Sequence, residues 1–184
     1  MRPVQAIILV CSCLLSVPGL AEGLRPTIGV GVGFDFYTYV DEGMLDIGRS
    51  LEGYALWSGG YPVAYRIAYR WTRVAQAERF GFEPDISGHH GHAEEITHIT
   101  RTQFSVLWFE DTSRRAGRYA GGGIELLTFS RQGDRRELGY ALSPICGVSF
   151  NVGGHSLSLE GGAELVFLEH DSFLLVPLRF LVSL

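Results

Sequence analysis

Apolar residues fall on every second position along most of the chain beyond residue 26. The pattern is cleanest at the C-terminus, where the apolar side consists of Leu174, Val176, Leu178, Phe180, Val182 and Leu184. A β-strand directs successive side chains to opposite faces, so Pro177, Arg179 and Ser183 share the other face. The last segment therefore predicts a strand with one apolar face and one small or charged face.

Seven earlier segments repeat this alternation, and polar or turn-forming residues separate them. With the last segment, the predicted strands span residues 27–40, 49–57, 61–74, 96–110, 118–130, 138–150, 155–169 and 173–184. The connections after strands one, three and five are polar and mostly longer, whereas those after strands two, four and six are shorter. The sequence thus predicts an all-β fold, an eight-stranded antiparallel up-and-down transmembrane β-barrel. A soluble periplasmic barrel or sandwich is the alternative.

Pro144 interrupts the sixth predicted strand. Proline cannot donate to the strand ladder, so a bulge or local distortion is expected at this position.

The first residues have the features of a secretory signal peptide. Arg2 precedes an apolar stretch over residues 6–15, and small residues lead to a predicted cleavage after Ala21. The predicted organisation is a signal peptide over residues 1–21 and a barrel over 22–184, with a retained anchor as the alternative. Cys146 would be the one cysteine left, and a net charge of −5 disfavours nucleic acid as a partner.

The pattern resembles the small outer-membrane barrels of the OmpA/OmpX type over the whole mature chain. That resemblance implies a monomer in the Gram-negative outer membrane, with both termini in the periplasm and no cofactor. It also implies contact with outer-membrane lipids and lipopolysaccharide, and possible extracellular ligands at the loops. Interfacial aromatic girdles are expected from Tyr69, Trp71, Trp108, Tyr119 and Tyr140. This fold hosts adhesins, protective proteins and enzymes alike, so the fold leaves the function open. We expect a non-catalytic role in surface interaction or envelope integrity.

Charges of both signs fall on the predicted inward faces. They are Arg66, Arg70, Arg101 and Arg179, with Asp35, Glu52, Glu125, Glu160 and Glu164. An unpaired buried charge is costly, so the arginines are expected to pair with Glu52, Glu125, Glu160 and Glu164 and to close the lumen. Inward glycines are expected to leave room for the long arginine side chains. A ligand cavity or a proton path among these groups is the alternative interpretation.

Two predicted loops carry candidate binding residues. His89, His90 and His92 follow the third strand and offer imidazole ligands for a transition metal, although a solvated loop is the simpler interpretation. Arg131, Arg135 and Arg136 form a charged loop after the fifth strand and could bind lipopolysaccharide phosphates, and a solvated charged loop explains them equally. These residues keep open a third interpretation, a small pore or a metal-responsive surface protein.

The segment His170-Asp171-Ser172 offers one catalytic candidate. It resembles the outer-membrane lipid A deacylases, which use a His-x-Ser pair and a later Glu for acyl transfer. The resemblance implies His170 as base and Ser172 as nucleophile. Because no Glu follows Ser172, Glu169 or Glu164 would have to orient the histidine. Phe173 stands where that family has Asn, so a polar turn is the simpler interpretation.

Overall fold

The structure is a computed structural model that describes residues 26–39, 45–58, 62–75, 96–111, 116–131, 136–168 and 172–183. It contains nine strand segments in the described ranges. They are β1 (Thr27–Tyr39), β2 (Leu45–Ser58), β3 (Val63–Ala75), β4 (Ile96–Asp111), β5 (Ala116–Arg131), β6 (Arg136–Val152), β7 (His155–Gly162), β8 (Glu164–Phe167) and β9 (Ser172–Ser183). The predicted signal peptide over residues 1–21 lies outside these ranges.

The strands close into a barrel of eight antiparallel positions, as predicted. Each strand pairs with its neighbour along the chain, and β1 pairs with β9 to complete the ring. A path of paired residues shows the stagger of the barrel: it runs from Gly29 through Tyr54, Ala68, Gln103, Glu125, Ala141, Val166 and Phe173 to Tyr39. The path returns to β1 ten residues further on, and this stagger corresponds to a strand tilt of about 40°.

The segments β7 and β8 are two parts of one barrel strand. Both lie between β6 and β9, and their register with β6 is continuous, from Ile145 opposite Gly162 to Leu142 opposite Leu165. The break at Ala163 therefore falls opposite Pro144. The expected distortion is not in the proline's own strand, since β6 runs unbroken through Pro144 and keeps its register with β5. It lies in the neighbouring strand.

Two predicted boundaries are wrong. The second strand was predicted to begin at residue 49, but it begins at Leu45, because residues 45–48 extend the pairing with β1 up to Thr38. The predicted charged loop after β5 is shorter than expected, since Arg131 ends β5 and Arg136 begins β6, opposite Ser130. Both arginines thus belong to strand ends.

The barrel has two distinct ends. The end with the starts of β1 and β7 and the end of β9 is called the terminal end, and the opposite one the loop end. Gly153 and Gly154 form a two-residue turn at the terminal end with φ of 58° and 87°, the left-handed conformation that such tight hairpins require. Residues 76–95 connect β3 and β4 at the loop end.

The outer wall is apolar and the middle of the interior is charged and polar, the reverse of a soluble protein. Large hydrophobic residues are exposed on all sides, with Leu138 75% exposed and Leu126 71% exposed, whereas the largest fully buried side chains are those of Arg66, Arg70 and Arg101. An apolar wall around a polar interior is the arrangement of a barrel that crosses a lipid bilayer. No helix in the described ranges is long and apolar enough to span a membrane.

Aromatic side chains face outward near both ends of the wall. Trp108 lies near the terminal end, and Trp71 and Tyr140 lie toward the loop end, with the Tyr140 ring stacked on Phe167 at 5.2 Å between centroids. Tyr119 is not part of a girdle. It is 5% exposed and points into the lumen, on the same face as Glu125.

Candidate functional site

The lumen is filled in three layers. A cluster at the terminal end contains Tyr54, Leu56, Phe109, Tyr119 and Leu181, and a cluster at the loop end contains Tyr37, Ile99, Phe129, Phe173 and Leu175. Between these two apolar clusters lies a layer of buried charged and polar side chains. Every one of the nine strand segments contributes at least one residue to this charged layer. Its members are Asp35, Glu52, Arg66, Arg70, Thr72, Arg101, Gln103, Glu125, Ser143, Glu160, Glu164 and Arg179.

Glu160 on β7 is the main acceptor on the terminal side of the charged layer. Both of its carboxylate oxygens bind Arg66 in a bidentate pair, at 2.6 and 3.0 Å. Arg179 donates to Oε1 at 2.8 Å and the Tyr119 hydroxyl donates to Oε2 at 3.0 Å. Such charge-assisted bidentate bonds are stronger than neutral ones. A single carboxylate therefore joins strands β3, β5, β7 and β9.

Glu164 on β8 is the main acceptor on the loop side of the charged layer. Its Oε2 accepts from Arg101 at 2.8 Å, and its Oε1 accepts from Arg179 and, at 3.4 Å, from Arg70. Arg179 thus bridges Glu160 and Glu164, which lie on either side of the break at Ala163. The two carboxylates and their arginines form one continuous network across the lumen.

Asp35 and Glu52 complete the ion pairs on β1 and β2. Asp35 accepts from Arg101 at 2.8 Å and from the Thr72 hydroxyl at 2.7 Å. Glu52 accepts from Arg70 at 2.9 Å, its direct register partner on β3. Arg101 also donates to the Tyr37 hydroxyl at 2.8 Å, so the network reaches the apolar cluster at the loop end.

Glu125 joins the network through neutral groups. Its Oε1 accepts from Gln103 at 2.6 Å and from Ser143 at 2.7 Å, and Gln103 in turn accepts from Arg66 at 3.3 Å. In the described ranges the ion pairs connect the four arginines to Asp35, Glu52, Glu160 and Glu164. Glu125 was expected among the arginine partners. Instead, Asp35 takes that place.

Two of the inward glycines, Gly29 and Gly147, make room for tyrosine rings and not, as expected, for arginine side chains. A Cβ at Gly29 would lie 2.2 Å from the Tyr54 ring, and one at Gly147 would lie 2.4 Å from the Tyr119 ring. Each tyrosine covers the glycine directly opposite it in the neighbouring strand. The missing side chain at Gly147 therefore lets Tyr119 lie flat against the wall and direct its hydroxyl to Glu160.

A cavity of about 450 Å³ lies at the terminal end of the lumen. Hydroxyl groups line much of it, and several pair with one another: Tyr54 with Ser183 at 2.7 Å, and Ser149 with Ser156 at 2.7 Å. Arg66 lines the cavity and its guanidinium is held by Glu160. The cavity thus stops at the charged layer.

The remaining predicted site residues fall largely outside the described ranges. His89, His90 and His92 lie there, as do Arg135, Glu169 and His170. Ser172 is described, as the exposed first residue of β9 opposite Phe167. Arg136 is exposed at the start of β6. Among the described residues, no group of three or more His, Cys, Asp or Glu is placed to hold a metal ion.

The sequence matches no known family model and no curated protein. Solved structures do resemble it. Neisserial surface protein A matches 90% of this chain over 99% of its own length, with a TM-score of 0.64 and 15% identity. The attachment invasion locus protein Ail of Yersinia pestis matches 89% of this chain over 99% of its own length, with a TM-score of 0.46 and 14% identity.

This chain has the fold of a small outer-membrane β-barrel. At 15% identity the likeness to Neisserial surface protein A concerns the fold alone. The predicted resemblance to eight-stranded outer-membrane barrels is confirmed.

Proposed function

We propose that this protein is a monomeric, non-catalytic component of the Gram-negative outer membrane that acts in surface interaction or envelope integrity. The observation that carries the proposal is the charged layer itself. It draws side chains from every strand segment and pairs them with one another, between two apolar clusters. The side chains that fill the middle of the lumen are thus used to hold the barrel together. The apolar wall and the loops remain as the surfaces for contact with lipid and with external partners.

The proposed orientation has the termini in the periplasm and the loop end outside. Outer-membrane barrels have short periplasmic turns and longer external loops, and here the two-residue turn and the 76–95 connection lie at opposite ends. An epitope inserted at Gly88 should be detected on intact cells. Detection only after the outer membrane is permeabilised would reverse the orientation.

The role in envelope integrity is tested by deleting the gene and measuring growth in the presence of SDS or vancomycin, which an intact outer membrane excludes. We expect the deletion strain to be sensitised, and we expect both the wild-type gene and a Ser172→Ala variant to restore resistance. Unchanged resistance in the deletion strain would leave only surface interaction. Binding of intact cells to host or matrix proteins, compared between the two strains, tests that role.

The alternative is a lipid A deacylase-type esterase. One observation favours keeping it: Ser172 is exposed on the outward face at the loop end, where an acyl ester of an outer-leaflet lipid would lie. Mass spectrometry of lipid A separates the two functions. Loss of an acyl chain that depends on Ser172 would establish the esterase and remove the non-catalytic proposal.

A further inference from the structure

Four hydroxyl side chains form an arc around the cavity at the terminal end. The Tyr54 ring lies across Gly29 on β1, where a Cβ would clash with it, and its hydroxyl reaches Ser183 on β9 at 2.7 Å. Ser183 is the register partner of Ser156 on β7, and Ser156 pairs with Ser149 on β6 at 2.7 Å. All four hydroxyl side chains line the cavity. The hydroxyl arc thus spans β2, β1, β9, β7 and β6, four strand spacings or about 19 Å.

The side of the cavity formed by β4 is apolar. Leu107 and Phe109 of β4 line it, and Leu56 of β2 lies next to them in the same apolar cluster. The ring of Phe109 stacks on that of Tyr119 with 4.9 Å between centroids, and Tyr119 also lines the cavity. In the ring of eight strand positions β4 lies opposite β9. Carbon surface therefore faces the hydroxyl arc across the lumen.

The cavity offers little net charge to a ligand. Among the described residues that line it, only Arg66 is charged, and both carboxylate oxygens of Glu160 already hold its guanidinium. An anion would meet an arginine that is neutralised, and a wholly apolar molecule would take the hydroxyls out of water without new partners, which is costly. The cavity is therefore best suited to a ligand that is uncharged and polar.

The hydroxyl arc can still donate and accept hydrogen bonds after its own pairs have formed. A hydroxyl has one proton to donate and two acceptor lone pairs. In the Tyr54–Ser183 pair, and likewise in the Ser149–Ser156 pair, one proton forms the bond. Each pair keeps its second proton and several lone pairs. A ligand that carries hydroxyls of its own can use both kinds of group.

We propose that this cavity is a binding site for an uncharged mono- or disaccharide that enters from the terminal end. Sugar hydroxyls donate and accept as the arc does, and the C–H groups of a sugar ring pack against the carbon surface of Leu107 and Phe109. The volume of about 450 Å³ lies in the range of small-molecule sites, roughly 300–1,000 Å³. The site goes beyond the proposed function and does not depend on it. In the proposed orientation the sugar comes from the periplasm.

Solution NMR of the refolded, ¹⁵N-labelled protein tests the site, with glucose and trehalose as the probes. The micelles are of lauryldimethylamine oxide, whose headgroup carries no sugar. We expect either sugar at millimolar concentrations to shift the amide signals of Ser156 and Ser183 in a saturable way. The signal of Phe129, in the apolar cluster at the loop end, should stay where it is.

Three variants connect the binding to the hydroxyl arc. Ser149→Ala/Ser183→Ala removes one hydroxyl from each pair and should weaken binding about tenfold. Ser156→Phe places a ring in the cavity and should abolish the saturable shifts. Ser50→Ala is the matched control and should bind as the wild type does, because Ser50 is a buried serine on the inward face of β2 that does not line the cavity.

Thermal unfolding followed by circular dichroism confirms that each variant is folded. If the double variant is not, Ser183→Ala alone serves and should weaken binding about threefold. Wild-type affinity in the folded double variant or in Ser183→Ala would overturn the role of the hydroxyl arc.

Two further probes separate the classes of ligand. Inorganic phosphate and cyclohexanol should leave the amide signals of Ser156 and Ser183 unshifted. Saturable binding of phosphate at this site would overturn the choice of an uncharged ligand, and binding of cyclohexanol without binding of either sugar would overturn the choice of a polar one. If neither sugar gives a saturable shift, the sugar site is wrong and the cavity holds water. A sensitised deletion strain would then still support the proposed function, because permeability is measured independently of this binding.

Discussion

Glu160 is the side chain whose removal should cost the barrel most. It accepts four hydrogen bonds, three of them from Arg66 and Arg179. Glu160→Gln removes the negative charge and leaves two buried guanidinium groups short of a partner. Breaking a buried ion pair in this way costs about 3–5 kcal/mol. Urea unfolding of the refolded barrel, followed by tryptophan fluorescence, measures the loss.

Glu125 provides the matched control within the same layer. Its hydrogen bonds come from the neutral groups of Gln103 and Ser143, and the layer holds five carboxylates to four guanidinium groups. Glu125→Gln should therefore cost only about 1 kcal/mol, the net value of an ordinary hydrogen bond. Leu159→Ala on the lipid face should also cost less than Glu160→Gln. A loss at Glu125 as large as that at Glu160 would show that total charge, and not the specific pairing, stabilises the lumen.

At the residue scale, the sequence predicts which face of a strand a side chain occupies more easily than which side chain it pairs with. Alternation alone assigned the arginines and carboxylates to the inward side. Glu52 with Arg70 and Glu160 with Arg179 are cross-strand register partners. The bond from Arg66 to Glu160 instead crosses the lumen, and it depends on the stagger of the whole ring. Tyr119 was misassigned because an aromatic residue near a strand end suggested a girdle, although its position in the alternation matches that of Glu125.

At the scale of the element, two prolines explain why the seventh barrel strand is broken. A Cβ at Gly162 would lie 2.2 Å from the carbonyl oxygen of Pro144, so the carbonyl of Pro144 points toward β7 and β8. An N–H of residue 144 would point the same way. Pro177 on β9 likewise directs its carbonyl toward Gly161. Neither proline has an N–H to donate. The neighbouring strands therefore lack a donor opposite Ala163 on the β6 side and opposite Gly162 on the β9 side.

Pro144→Val should repair one side of this break. The new N–H faces Ala163, and Pro144 is exposed on the lipid wall, so the added side chain has room. We expect stronger amide protection at residues 162–164 in hydrogen exchange and a stability gain of about 0.5–1.5 kcal/mol. Leu142→Val, on the same face of β6, changes no donor and should leave the protection as it is. Unaltered protection in Pro144→Val would mean that Pro177 alone sets the break.

The elements that sequence reasoning placed least well are those at strand ends. Residues 45–48 read as a polar connection because they include Asp46 and Gly48, but their pairing with β1 makes them part of β2. Arg131 and Arg136 read as loop for the same reason. Composition marks where a chain can turn. The length of the neighbouring strand decides where the turn begins.

At the scale of the whole molecule, eight strands with a stagger of ten residues enclose a lumen that side chains can fill. The strands are 13–17 residues long where a single segment spans the wall from β1 to β6. At a tilt of about 40° they reach about 33–43 Å along the axis, beyond the ~25 Å apolar band of an outer-membrane barrel. The charged layer and both apolar clusters thus fit inside the wall. Beyond the cavity at the terminal end, ions would have to pass the charged layer and the apolar cluster at the loop end.

Planar bilayer recordings test whether the lumen is closed. The wild type should show little or no steady conductance, because the ion pairs occupy the middle of the lumen and the apolar cluster at the loop end covers them on that side. Glu160→Gln and Arg70→Gln each remove part of the layer, so brief openings should become more frequent in these variants. Leu159→Ala, on the lipid face, should behave as the wild type does. A stable open channel in the wild type that neither lumen variant alters would refute the closed lumen and make a small pore the better function.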